Sequence, residues 1–130
     1  MNNQRRCLLL SIALCAPLVF VGAKDDWLRS VPASARVRTN PLAADADAPL
    51  AGALLHKRNC ASCHGIDGAG RGSRPSLQTS RVHNATDGEL EWLLTNGNLA
   101  HGMPSWSRLP ESQRWQLVRF LRTLPNSPDR

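Results

Sequence analysis

The chain has no tyrosine and only two phenylalanines in 130 residues, and its aromatic fraction is 5% even with four tryptophans counted. A hydrophobic fraction of 42% speaks against wholesale disorder, yet so few large side chains leave a core that something other than aromatic residues must fill. Cysteine is scarce too, four in all, and two of these (Cys7 and Cys15) stand near the start. The length suits one small domain and excludes a doubly wound nucleotide-binding enzyme, a TIM barrel or a multi-span membrane protein. The formal net charge is only +6, the arginines are scattered and no aromatic residues interleave with them, which argues against nucleic acid. An acidic protein partner suits that modest balance better.

Residues 1–23 have the three-part plan of a secretory signal: basic Arg5 and Arg6, an apolar run from Leu8 to Val21, and a small-residue exit at Val21-Gly22-Ala23. Pro17 interrupts the run and Lys24 closes it, which leaves it short of the ~20 apolar residues of a spanning helix. The expectation is export with cleavage after Ala23, the alternative being an uncleaved membrane anchor. Leu14 stands where lipoprotein processing at Cys15 needs a small residue, and the surroundings of Arg5-Arg6 do not otherwise fit a twin-arginine signal. Export removes Cys7 and Cys15, and the two that remain, Cys60 and Cys63, make no disulfide framework.

Residues 24–47, with Pro32, Pro41 and scattered charge, read as an extended arm or linker that Trp27 and Leu28 could dock. A helix over Ala48–Asn59 follows, with Asp47 as its N-cap and Pro49 in its first turn. Gly65–Ser80 is too punctuated by glycine and proline for regular structure. Thr86-Asp87-Gly88-Glu89 is a capping box that opens a second helix, ended at Asn96-Gly97. After a loop to Leu109, Pro110 opens a third helix, where Trp115, Leu117, Val118, Leu121 and Leu124 recur at helical spacing before Pro125. No segment reads as a strand. The fold class is all-α: three main helices with long Gly/Pro loops over 48–125, and a short tail at 126–130.

Cys60-Ala61-Ser62-Cys63-His64 is C-x-x-C-H, the attachment signature for a c-type haem. Thiols at i and i+3 lie on one side of a helical turn, so each can add across one vinyl group of the same porphyrin edge as a thioether. His64 is then held under the iron. A zinc site needs a second Cys or His pair, which His56, His83 and His101 do not form, and a thioredoxin-like dithiol needs a βαβ context. Haem also answers the thin core. The sixth iron position calls for a soft or imidazole ligand, and Met103, in the Gly102-Met103-Pro104 loop, is the only methionine after Met1, with His101 as its rival.

These residues resemble a monohaem class I cytochrome c over roughly 48–125: Gly52 eight positions before Cys60, the Cys60-Cys63-His64 motif followed by Gly65, the loop to Pro75 and Leu77, the Asn96-Gly97 helix end, Met103-Pro104, and a last helix with Phe120. The resemblance implies that the Pro75 carbonyl accepts a hydrogen bond from the His64 ring, that Gly52 lets the first helix cross the last against Phe120, that Leu77 packs on the haem and that Trp106 reaches a propionate. His56, where the family usually has an aromatic residue, is a departure; the reading here is a surface or hydrogen-bonding imidazole. The expected function is one-electron transfer between redox proteins in the periplasm, with both axial sites filled and no enzymatic role. The alternatives are a haem c subunit of a larger dehydrogenase or oxidase, or a peroxidase-like haem with a labile sixth ligand. Lys57, Arg58, Arg71, Arg74 and Arg108 belong to segments expected to border the haem edge and to meet an acidic partner.

Overall fold

The computed structural model describes residues 26–127; residues 1–23, where an export signal is expected, and the end of the tail lie outside the described residues. The α-helices are α1 (Ala33–Arg36), α2 (Ala48–Asn59), α3 (Ala61–His64), α4 (Ser80–Asn84), α5 (Asp87–Asn96) and α6 (Glu111–Leu121), with 3-10 turns at Trp27–Ser30 and Leu99–His101. Among the described residues no strand forms, and pairing is limited to isolated bridges between Arg71 and Arg74, Thr79 and Ser127, and Asn98 and Met103. The fold is thus a small all-α one, with α2, α5 and α6 as its long members.

Local chemistry explains where these helices begin and end. Thr86 accepts the Glu89 amide (3.2 Å) while Glu89 accepts the Thr86 amide (2.7 Å), so both halves of the capping box open α5. The start of α2 differs from the sequence reading. Asp47 occupies the N-cap position without a side-chain bond, and Asp45 accepts the amides of Asp47 (2.8 Å) and Ala48 (3.2 Å) instead. An Asx turn two residues upstream therefore does the capping. Arg122, just past α6, donates to the carbonyls of Val82 (3.1 Å), His83 (3.0 Å) and Ala85 (2.6 Å), covering the open end of α4, and pairs with Asp87.

The core is where α6 meets the other helices: Leu90 and Leu94 from α5 pack with Trp115, Leu117, Val118 and Leu121 from α6. The principal helix crossing is α2 on α6. It is close because Gly52 has no side chain, and a Cβ there would fall on the Gln116 carbonyl oxygen and lie 2.8 Å from Phe120 Cβ.

Residues 26–47 are not the extended linker that their composition suggests. Val31 (4% exposed), Ala35 (6%) and Asn40 (5%) are buried in the fold. Asn40 Nδ2 donates to the Trp115 carbonyl (3.1 Å), Arg36 bonds Glu89 and the Leu28 carbonyl, and Arg38 pairs with Glu91 (2.7 Å) and with Glu111. The Glu111 carboxyl is held below its ordinary pKa by hydrogen bonds from the Trp115 indole and Arg38. Segments this short take their order from partners far along the chain, which is why periodicity does not reveal them.

Candidate functional site

The end of α2 places the first cysteine. Its last turn delivers the Cys60 amide to the His56 carbonyl (2.8 Å), and the Cys60 carbonyl then accepts the amides of Cys63 (3.1 Å) and His64 (2.9 Å). This winds α3 into one turn that carries both thiols and the imidazole. Gly65, at φ 79°, turns the chain away at once, a left-handed conformation costly for a residue with a Cβ. The loop then folds back: the Gly70 amide donates to the His64 carbonyl (2.7 Å) and the Leu77 amide to the Gly68 carbonyl (2.7 Å). Asp67 accepts the Ala69 amide (3.0 Å) as a turn residue.

That return brings the Pro75 carbonyl oxygen 2.9 Å from His64 Nδ1. A carbonyl only accepts, so Nδ1 carries the proton and Nε2 keeps the lone pair a metal needs. Met103 stands in a separate loop, closed by mutual bonds between the backbones of Asn98 and Met103 (2.8 and 3.0 Å) and tied to α5 by the Trp106 amide on the Leu94 carbonyl (2.8 Å). His101, beside it, has Nδ1 3.1 Å from the Asn98 side-chain oxygen.

The seven residues singled out from the sequence, Cys60, Cys63, His64, Pro75, Leu77, Met103 and Trp106, line one cavity of about 1260 Å³. That is more room than an ordinary small-ligand pocket of ~300–1,000 Å³. Its donors are two sulfurs one turn apart, an imidazole with a fixed tautomer and a thioether, a set that suits haem c and no hard cation. Burial and the neighbouring Cys63 push the Cys60 thiol up to about 11, so at neutral pH it is a protonated thiol and a poor exchange nucleophile. No group of three His, Cys, Asp or Glu side chains able to hold a metal ion occurs among the described residues, and the zinc reading gains no second pair.

Most of the cavity lining was not assigned to the site from the sequence, and three of those residues matter here. Trp27 comes from the N-terminal segment, Arg81 from α4, and His56 from α2. The presence of a tryptophan in a proline- and alanine-rich stretch is the one signal that could have pointed to the first. His56 is neither exposed nor hydrogen-bonded. It is 1% exposed, its ring lies 4.9 Å from that of Phe120, and neither ring nitrogen has a partner. It thus fills the aromatic place at the α2–α6 crossing at the cost of two unsatisfied polar atoms.

His56→Phe should therefore stabilise the protein by ~1–3 kcal/mol, the usual penalty of a buried unsatisfied polar group. Burial, helped by the nearby His64 and opposed by Asp67, holds the folded-state pKa of His56 below 6.5. The unfolded chain then binds a proton that the folded chain refuses, and stability falls as pH drops through ~6.5. Guanidinium unfolding at pH 7 and pH 5 checks both points: the variant should be the more stable and the less acid-sensitive. A less stable variant would mean that the imidazole has a polar partner in the haem-loaded protein.

No curated protein matches the chain. The family described as cytochrome c oxidase, cbb3-type, subunit III matches residues 47–121, a stretch that takes in the C-x-x-C-H turn, the Met103 loop and all but the first turns of the fold. The chain belongs to that family of c-type cytochromes: its cofactor is covalently bound haem c, which Cys60 and Cys63 are placed to attach, and its role is haem c electron transfer.

Proposed function

We propose that the chain is a periplasmic one-electron carrier, exported by residues 1–23, in which His64 and Met103 would ligate the haem iron and Cys60 and Cys63 would hold the haem as thioethers. The observation that carries this reading is the convergence of these four side chains on one cavity, with the His64 tautomer set by Pro75. The bound group supplies a single Fe(III)/Fe(II) couple. The chain's own residues do the rest. The Pro75 carbonyl makes the imidazole a stronger donor, the Asn98–Met103 backbone pair holds the thioether in a fixed loop, and Leu77 and Trp106 exclude water. With His64 and Met103 both holding the iron, the protein would give and take electrons through the haem edge rather than act as a peroxidase.

Partner docking would use exposed cations, of which Arg74 lines the cavity. Lys57, Arg58, Arg71, Arg74 and Arg108 are all exposed; Arg74 lies over Gly102, and Arg108 stacks on the Trp106 ring at 4.2 Å. Electron transfer to an acidic partner should slow steeply as salt passes ~0.1 M, where the Debye length is ~10 Å. Stopped-flow rates measured across that range test it, and a flat profile would overturn electrostatic docking.

A second reading, a fixed haem c subunit of an oxidase, is favoured by the family description itself. No helix among the described residues is long and apolar enough to cross a membrane, so on this reading attachment falls to residues 1–23 or to partner contacts. Purification at high salt separates the two: a carrier elutes alone and a subunit co-migrates with its complex.

A further inference from the structure

Part of the lining of the haem cavity comes from a segment outside the family match. The family match begins at residue 47, yet Trp27 lines the cavity beside Arg81 and Val82 of α4 and packs on the apolar core. Its segment is fastened in place. Arg36 donates to the carbonyls of Leu28 and Val31 (3.2 Å to the latter) and pairs with Glu89, which is 6% exposed. The Thr86 hydroxyl donates to the Arg36 carbonyl (3.0 Å). Gly88 admits α1 against the start of α5, since a Cβ there would fall on the Ala35 carbonyl oxygen and lie 2.9 Å from that of Arg38.

We propose that Trp27 is a potential-setting residue: docked through Arg36 and Gly88, the N-terminal segment holds this indole against the haem cavity, keeps water from that side, and so raises the reduction potential. The inference rests on the haem c reading above. The oxidised centre carries one more positive charge than the reduced one, so water admitted near it favours the oxidised form, while an apolar wall favours the reduced form.

The test uses the full-length, haem-loaded protein, with attachment first verified by the pyridine haemochrome spectrum; failure there would end the haem reading and this inference with it, whereas the variants below test the inference alone. Spectroelectrochemical titration of Trp27→Ala should show the reduced-to-oxidised ratio at fixed potential falling about threefold, a shift of ~28 mV at ~59 mV per tenfold. Trp27→Phe, which keeps an aromatic wall, should stay close to the parent. Gly88→Ala, which lifts the segment without altering a cavity residue, should shift the potential in the same direction as Trp27→Ala. An unchanged potential in Trp27→Ala overturns the proposal, as does a folded Gly88→Ala with the parent value. Should Gly88→Ala fail to fold, the alanine and phenylalanine pair at Trp27 decides alone.

Discussion

Met103→His should lower the reduction potential by well over ~59 mV, and Met103→Ala should give a high-spin or water-bound ferric protein that binds small ligands. A thioether is a soft, neutral donor that favours the reduced iron, whereas an imidazole donates more strongly to the oxidised one. Axial ligands move haem potentials over about 0.8 V, which dwarfs what any wall residue contributes. The comparison that decides the assignment is His101→Ala. His101 lies in the same loop, lines the same cavity and, like Met103, donates its amide to the Asn98 carbonyl (3.0 Å each), but its ring stands 3.1 Å from the Asn98 side-chain oxygen. His101→Ala should leave the optical spectrum and the potential near the parent values. If instead His101→Ala changes the spectrum while Met103→Ala does not, the protein is a bis-histidine cytochrome of lower potential.

The second large effect is expected at a residue with no chemistry. Gly52→Ala adds one carbon where the backbone of Gln116 and the Cβ of Phe120 already stand, and neither can swing aside as the end of a long side chain could. In an isolated helix the same change would gain ~1 kcal/mol of propensity. Here α2 and α6 must part, and overpacking of this kind costs ~1–3 kcal/mol, occasionally more, against a total stability of ~5–15 kcal/mol. Separation would also loosen the His56–Phe120 ring contact and shift the helix that delivers Cys60. The thermal midpoint should drop by roughly 4–24 °C, since 1 kcal/mol is worth ~4–8 °C in a domain of this size. A circular-dichroism melt of the haem-loaded variant measures it, and an unchanged midpoint would mean that the helices do not cross at Gly52.

Much of this was legible in the sequence because the deciding signals were local. The C-x-x-C-H turn, the Thr86/Glu89 capping box and the apolar repeat of α6 each sit within a few residues, and the structure builds α3, α5 and α6 on them. What escaped depends on contacts across the chain. Trp27–Ser30 and Ala33–Arg36 are four residues each, too short to show a period, and their order comes from pairs such as Arg36–Glu89, 53 positions apart. The five-residue α4 is held at its far end by Arg122, some 40 positions on. His56 looked like a surface or hydrogen-bonding imidazole because nothing in its neighbours says that α6 will cover it. Asp45 displaced Asp47 as the cap through a turn geometry that either aspartate could have adopted.

The partnership of Glu89 and Glu91 with Arg36 and Arg38 has a consequence for where such a protein can be cut and rejoined. Glu89 closes the capping box and receives Arg36; Glu91, 2% exposed, is shared by Arg38, Arg114 and the Thr95 hydroxyl. A graft that carried only residues 47–121, the stretch the family matches, would leave Glu89 without Arg36 and Glu91 with Arg114 but without Arg38. Buried charges stripped of a partner are costly, so recombination at that boundary would be tolerated only if the acids changed with it. The stretch that matches the family is shorter than the stretch that packs as one fold, and the acids on α5 mark the seam between them.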